Sequence, residues 1–132
     1  MKKIYFFSVF VLSFLFFSCE EVIPLNLETA PPKLVIEASI VWKKGTTGSA
    51  QKIKLSTTTS FYSDTPIKVL GATVFIKNSA NTTFTFTEVP NTGEYRCSNF
   101  VPAIGENYTL TVINNGNTYT ANETLKSVAP IT

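Results

Sequence analysis

The stretch NYTLTVI-NNG-NTYTANETL, residues 107–125, constrains the fold more than any other part of the chain. Polar and apolar side chains alternate through its first arm, and successive residues of a strand point to opposite faces. A two-residue turn between antiparallel strands needs φ > 0 at both central positions, which Asn115-Gly116 supplies. A β-hairpin is predicted here. Tyr108 opens its first strand just after Gly105, where a tyrosine corner would place it.

The same period of two runs back through the chain. KLVIEASIVW puts Leu34, Ile36, Ala38, Ile40 and Trp42 on one face, which makes Trp42 a core residue. After the polar loop KKGTTGS, AQKIKLSTT turns Ile53 and Leu55 inward and Lys52 and Lys54 outward. SFYSDTP breaks the pattern before IKVLGATVFIK, in which Leu70, Ala72, Val74 and Ile76 share a face. Gly71 within that run marks a bulge or a close backbone approach. NSAN then turns into TTFTFTEV, with Phe84 and Phe86 in phase, and PNTG turns into EYRCS. No window shows apolar residues at helical spacing. Nineteen threonines suit pleated surfaces. About seven short antiparallel strands, each with one apolar face, require two packed layers. Residues 34–125 are therefore predicted to be all-β, an Ig-like β-sandwich.

The first 18 residues are different. Lys2 and Lys3 precede a run from Ile4 to Phe17 broken only by Ser8 and Ser13. A helix needs about 20 apolar residues to span a bilayer, so residues 1–18 are expected to be an export signal. Without them nine cationic side chains balance nine acidic ones, so the formal charge of +2 belongs to the signal. A nucleic-acid partner is not supported. The run ends abruptly in Ser18-Cys19-Glu20-Glu21. A disulfide to Cys97 is one use for Cys19. The preferred one is lipidation, as in bacterial lipoproteins: the thiol is alkylated, the chain is cut before it, and a small Ser18 admits the peptidase. Phe16 stands where such junctions usually carry Leu, and Phe17 is bulky for its place. Two or three acyl chains, each methylene contributing about 0.8 kcal/mol, would hold the chain on the membrane. Cys97 is then a small core residue. Residues 19–33, with Pro24, Pro31 and Pro32, form an extended tether. Val22, Ile23, Leu25 and Leu27 are available to pack on the domain as an edge segment, and residues 126–132 form a tail.

Chemistry is sparse. The chain has no histidine, which removes the commonest general base and most zinc sites. Asp64 is the sole aspartate, and the glutamates are scattered except for Glu20-Glu21. No calcium loop or phosphate-cradling glycine loop is present. No enzyme, metal or cofactor is predicted. Phe61 and Tyr62 stand in a Ser/Thr-rich loop. They are candidate contacts for a partner, because aromatics anchor interfaces. The favoured reading is that they cap an open end of the sandwich.

The order of pieces, PPKLVIEASI, IKLSTTTSFY, VLGATVFIKN, TGEYRC and GENYTLTVINNGNTYTA behind a lipidation cysteine, resembles a family of Bacteroidetes lipoproteins built on a domain of unknown function. The part GATVFI…TGEY…YTLTV…G is also similar to carboxypeptidase-regulatory and Ig-like sandwiches. The resemblance implies a lipid-anchored outer-membrane module, turned to the cell surface if Glu20-Glu21 is an export signal. It further implies a TonB-dependent receptor or another envelope protein as partner, with no catalytic residues. A structural or adhesive module without a transport role is the alternative. Family members usually continue into a further β-rich half, which would begin near SVAPIT. A hydrolase active site housed there is a third, less favoured expectation.

Overall fold

A computed structural model of the chain describes Lys3, residues 30–59, Ser63 and residues 65–128. Within them the chain forms eight strands: β1 (Leu34–Ala38), β2 (Gln51–Thr57), β3 (Ile67–Lys68), β4 (Thr73–Asn78), β5 (Thr83–Val89), β6 (Glu94–Cys97), β7 (Asn107–Asn114) and β8 (Asn117–Thr124). Every ladder is antiparallel. The order is β1-β2-β6-β5-β4-β7-β8, with the short β3 also on β2. The fold is all-β, as the alternation predicts. Its two layers are one sheet curled over on itself. β5 makes the corner: its first half pairs with β4, Phe84 opposite Ile76 and Phe86 opposite Val74, while Thr87–Val89 pair with β6. A strand that passes from one layer to the other is a usual way to turn such a corner.

The core lies inside the curl. Ile53 and Leu55 of β2 point in while Lys52 and Lys54 point out, as a period of two requires. Val74, Ile76, Phe84, Phe86, Tyr95, Cys97 and Val112 meet them from the other strands. Phe100, from the segment after β6, fits between Phe84 and Tyr108 with ring centroids 4.6 and 5.1 Å away. Each such side chain contributes about 1.5–3 kcal/mol on burial. Cys97 is a core residue, its thiol donating to Asn99 Oδ1 at 3.0 Å. The β7–β8 turn has Asn115 at φ 48° and Gly116 at φ 79°, the geometry expected of Asn-Gly. Tyr108 forms its corner: the buried hydroxyl donates to Val101 O at 3.0 Å and accepts from Ala103 N at 2.9 Å.

Two strands end earlier than their alternation suggests. IKVLGATVFIK breaks into β3, which joins β2, and β4, which joins β5 and β7. The chain crosses between layers at Gly71, whose φ of +71° reverses the phase. A Cβ there would meet nothing within 4 Å, so the dihedral and not crowding calls for glycine. As a result Val69 is buried and Leu70, expected inside, is exposed. Tyr95 fastens the crossing, its hydroxyl donating to Val69 O and accepting from Ala72 N, both at 3.1 Å. Gly71 N donates to Glu88 Oε2 at 2.7 Å.

The second early end is in β1, which stops at Ala38, so Trp42 is not in the core. Gln51 causes this locally. Its buried amide occupies Val41 N and O at 3.0 and 2.9 Å and Gly48 O at 2.7 Å. These are backbone groups that a longer strand would give to a ladder. Trp42 instead lies over Gly48 and donates its indole N–H to Thr46 O at 2.8 Å.

Candidate binding site

The curl does not close where its two edges, β1 and β8, approach each other. A cavity of about 200 Å³ opens there. Its floor is the core itself: Ile53, Ile76, Phe86, Tyr108 and Leu110. Ala38 and Ile40 form one wall, and Ala121 and Leu125 the other. Register explains the opening. Ala38 lies opposite Ile53 on β2 and Ala121 opposite Leu110 on β7, so each edge presents a methyl group where a larger side chain would fill the gap. Ser39, Glu123, Thr124 and Lys126 give the mouth its polar rim.

β8 itself is bare. Asn117–Glu123 are exposed on both faces, although Tyr119 lies opposite the buried Val112 and so belongs to the core-facing side. An outer strand with no neighbour on its second side leaves backbone N–H and C=O groups free to template another strand. β8 has one charged residue, Glu123, to discourage that.

The size of the cavity limits what it can take. Sites for small molecules usually enclose about 300–1,000 Å³, so this one suits one or two apolar side chains. An added strand on β8 could deliver them, its backbone on the edge and alternate side chains in the gap. The site has little catalytic capacity. Glu123 is the one carboxylate in the lining, and Tyr108 has its hydroxyl committed to the backbone. Among the described residues no group of three His, Cys, Asp or Glu could hold a metal.

The outward face of β1, β2 and β6 carries alternating charges. Lys54 pairs with Glu37 at 3.7 Å, and Arg96 pairs with Glu94. The Arg96 hydrogen bond holds the Glu94 carboxyl below the usual range. Exposed pairs of this kind contribute about 0–1 kcal/mol each. Glu106 is also held low, by hydrogen bonds from the hydroxyl and backbone N–H of Ser79, which tie the β4–β5 turn to the start of β7.

Cys19, Phe61 and Tyr62, the residues singled out in the sequence, lie outside the described residues. The described residues on either side, Thr57 and Ile67, pair with each other at the far end of β2 from Gln51, which borders the cavity. The structure therefore does not bring that loop's flanks together with the cavity. Sequence reasoning missed the cavity, and its one local signal is Gln51, a polar residue in phase with Ile53 and Leu55. No helix among the described residues is long and apolar enough to cross a membrane.

The model of a family described as a domain of unknown function (DUF4249) matches residues 20–132. No curated protein and no solved structure matches the chain. The chain belongs to the DUF4249 family.

Proposed function

We propose that this member of the DUF4249 family is a lipid-anchored cell-envelope module that binds a protein partner, accessory to a TonB-dependent transport system of the outer membrane. The observation that carries the binding half is the open edge. Among the described residues the fold leaves an apolar slot beside an eight-residue strand, β8, that is paired on one side only, with β7. The anchor half draws on Ser18-Cys19 at the end of a run too short to span a bilayer. Glu20-Glu21 beside the anchor is consistent with a surface-facing position. Binding is favoured over catalysis because the chain has no histidine and the slot has one carboxylate.

The test is to solubilise the tagged protein gently from its own membranes and identify what co-purifies. A TonB-dependent channel in near-equal amount supports the reading. The lipoprotein alone refutes the transport role and leaves a structural or adhesive module. The anchor is tested separately by labelling with a fatty acid. Cys19→Ala should abolish both label and processing; a chain that stays labelled removes the lipid from Cys19.

A further inference from the structure

We infer that the end of the molecule built from residues 39–50 and 98–105 rests on an anionic lipid bilayer. Four large apolar side chains there are left in solvent: Val41, Trp42, Val101 and Ile104, exposed by 51, 43, 65 and 56%. The two segments form one surface. Phe100 N donates to Ser49 O at 3.2 Å. Gly48 is wedged between the Trp42 indole and the Pro102 ring, so closely that a Cβ on it would lie 2.8 Å from Trp42 Cδ1 and 2.6 Å from Pro102 Cγ. Gly105 N donates to Leu125 O at 2.8 Å, which brings Lys126 and the exposed Val128 to the same end.

Charge chooses the partner. The two segments contain Lys43 and Lys44 and no Asp or Glu. The next acid along the chain, Glu106, keeps its charge but directs its carboxylate to Ser79 of the β4–β5 turn. A tryptophan among aliphatic loop residues, flanked by lysines in segments that contain no acid, matches what bilayer interfaces favour. Trp42 is suited to that depth, with its indole N–H already satisfied by Thr46 O and its ring half in solvent. A partner protein would more often meet a central pocket with a polar rim, whereas here the apolar groups are projecting tips.

Reach is not an obstacle. The 14 peptide steps from Cys19 to Lys33 extend to at most about 50 Å at ~3.3–3.6 Å each. The inference rests on the chain being held at a membrane, as proposed above, and adds which face turns toward it.

Trp42 is the one tryptophan in the chain, so its fluorescence reports this end alone. The full-length lipoprotein is reconstituted into phosphatidylglycerol–phosphatidylcholine vesicles, with and without bromine near the headgroup end of the acyl chains. Bromine should quench Trp42 strongly. The double variant Val101→Ser with Ile104→Ser changes only exposed tips, and it should float with the vesicles unquenched. Lys43→Ala should lower the ratio of contacting to detached Trp42 about fivefold, the equivalent of ~1 kcal/mol per surface cation. Flotation of the wild type without quenching overturns this inference and spares the anchor. Failure to float at all refutes both. Quenching that survives the double variant would also overturn it.

Discussion

Removing one oxygen atom tests how the chain crosses between layers. Tyr95→Phe keeps a ring that is fully buried and deletes a hydroxyl that donates to Val69 O and accepts from Ala72 N. Each hydrogen bond contributes about 1 kcal/mol net, and a buried group left unpaired costs about 1–3 kcal/mol. Val69 is buried, so water cannot easily take the place of the hydroxyl. The expected loss is therefore about 2–3 kcal/mol. For a domain of this size, each kcal/mol lowers Tm by about 4–8 °C. Urea denaturation should show a lower midpoint with an unchanged m-value, because the surface exposed on unfolding is the same. Hydrogen exchange should localise the effect, with the Ala72 amide losing protection before those of β7. A loss within about 0.5 kcal/mol, the range of ordinary surface substitutions, would refute the view that this hydroxyl holds the crossing at Gly71.

Burial raises the pKa of Tyr95 and Tyr108 in the folded state. The folded form then holds protons that the unfolded form releases above about pH 10, so stability is complete below that pH and falls as pH rises through the folded values. Alkaline melts should show this fall, and the two Tyr→Phe variants should blunt it from their lower starting stability. Gly48→Ala places a methyl group 2.6 Å from Pro102 Cγ at a residue with φ +67°. Overpacking and left-handed strain together should cost about 2–5 kcal/mol, with Trp42 fluorescence shifted in the folded state. Gln51→Leu leaves three backbone groups of Val41 and Gly48 unpaired and should cost about 2–4 kcal/mol in denaturant titration. Ala121→Leu fills the slot, so stability should hold or rise by about 1 kcal/mol, while co-purification of the partner falls more than tenfold.

The strands could be read from the sequence because a period of two is a local property. Ile53, Leu55, Val74, Ile76, Phe84 and Phe86 are each in phase with neighbours two residues away, and all are in the core. Asn115-Gly116 was equally plain, since its turn depends on the dihedral freedom of two adjacent residues. Leu70 and Trp42 depart from the burial their alternation predicts because the alternation carries on past the point where the ladder stops. What stops it is a side chain or a dihedral elsewhere: Gly71 reverses the phase at Leu70, and the Gln51 amide takes the backbone at Val41. The cavity was illegible for a related reason. Ala38 and Ala121 are ordinary small residues in their own strands and become the walls of a slot only when the sheet's first and last strands come together. The exposed Trp42 end was hidden by the same misplaced phase.

Because β5 belongs to both layers, neither layer has a complete hydrogen-bond ladder without it. Peeling β4, β7 and β8 away would strip one half of β5, and peeling β1, β2 and β6 away would strip the other. Pulled from its ends or melted, such a chain should give way in one step, without a half-molecule that persists on its own. A partner seated on the β1–β8 edges would clamp the seam opposite that shared strand, and so resist opening of the curl there.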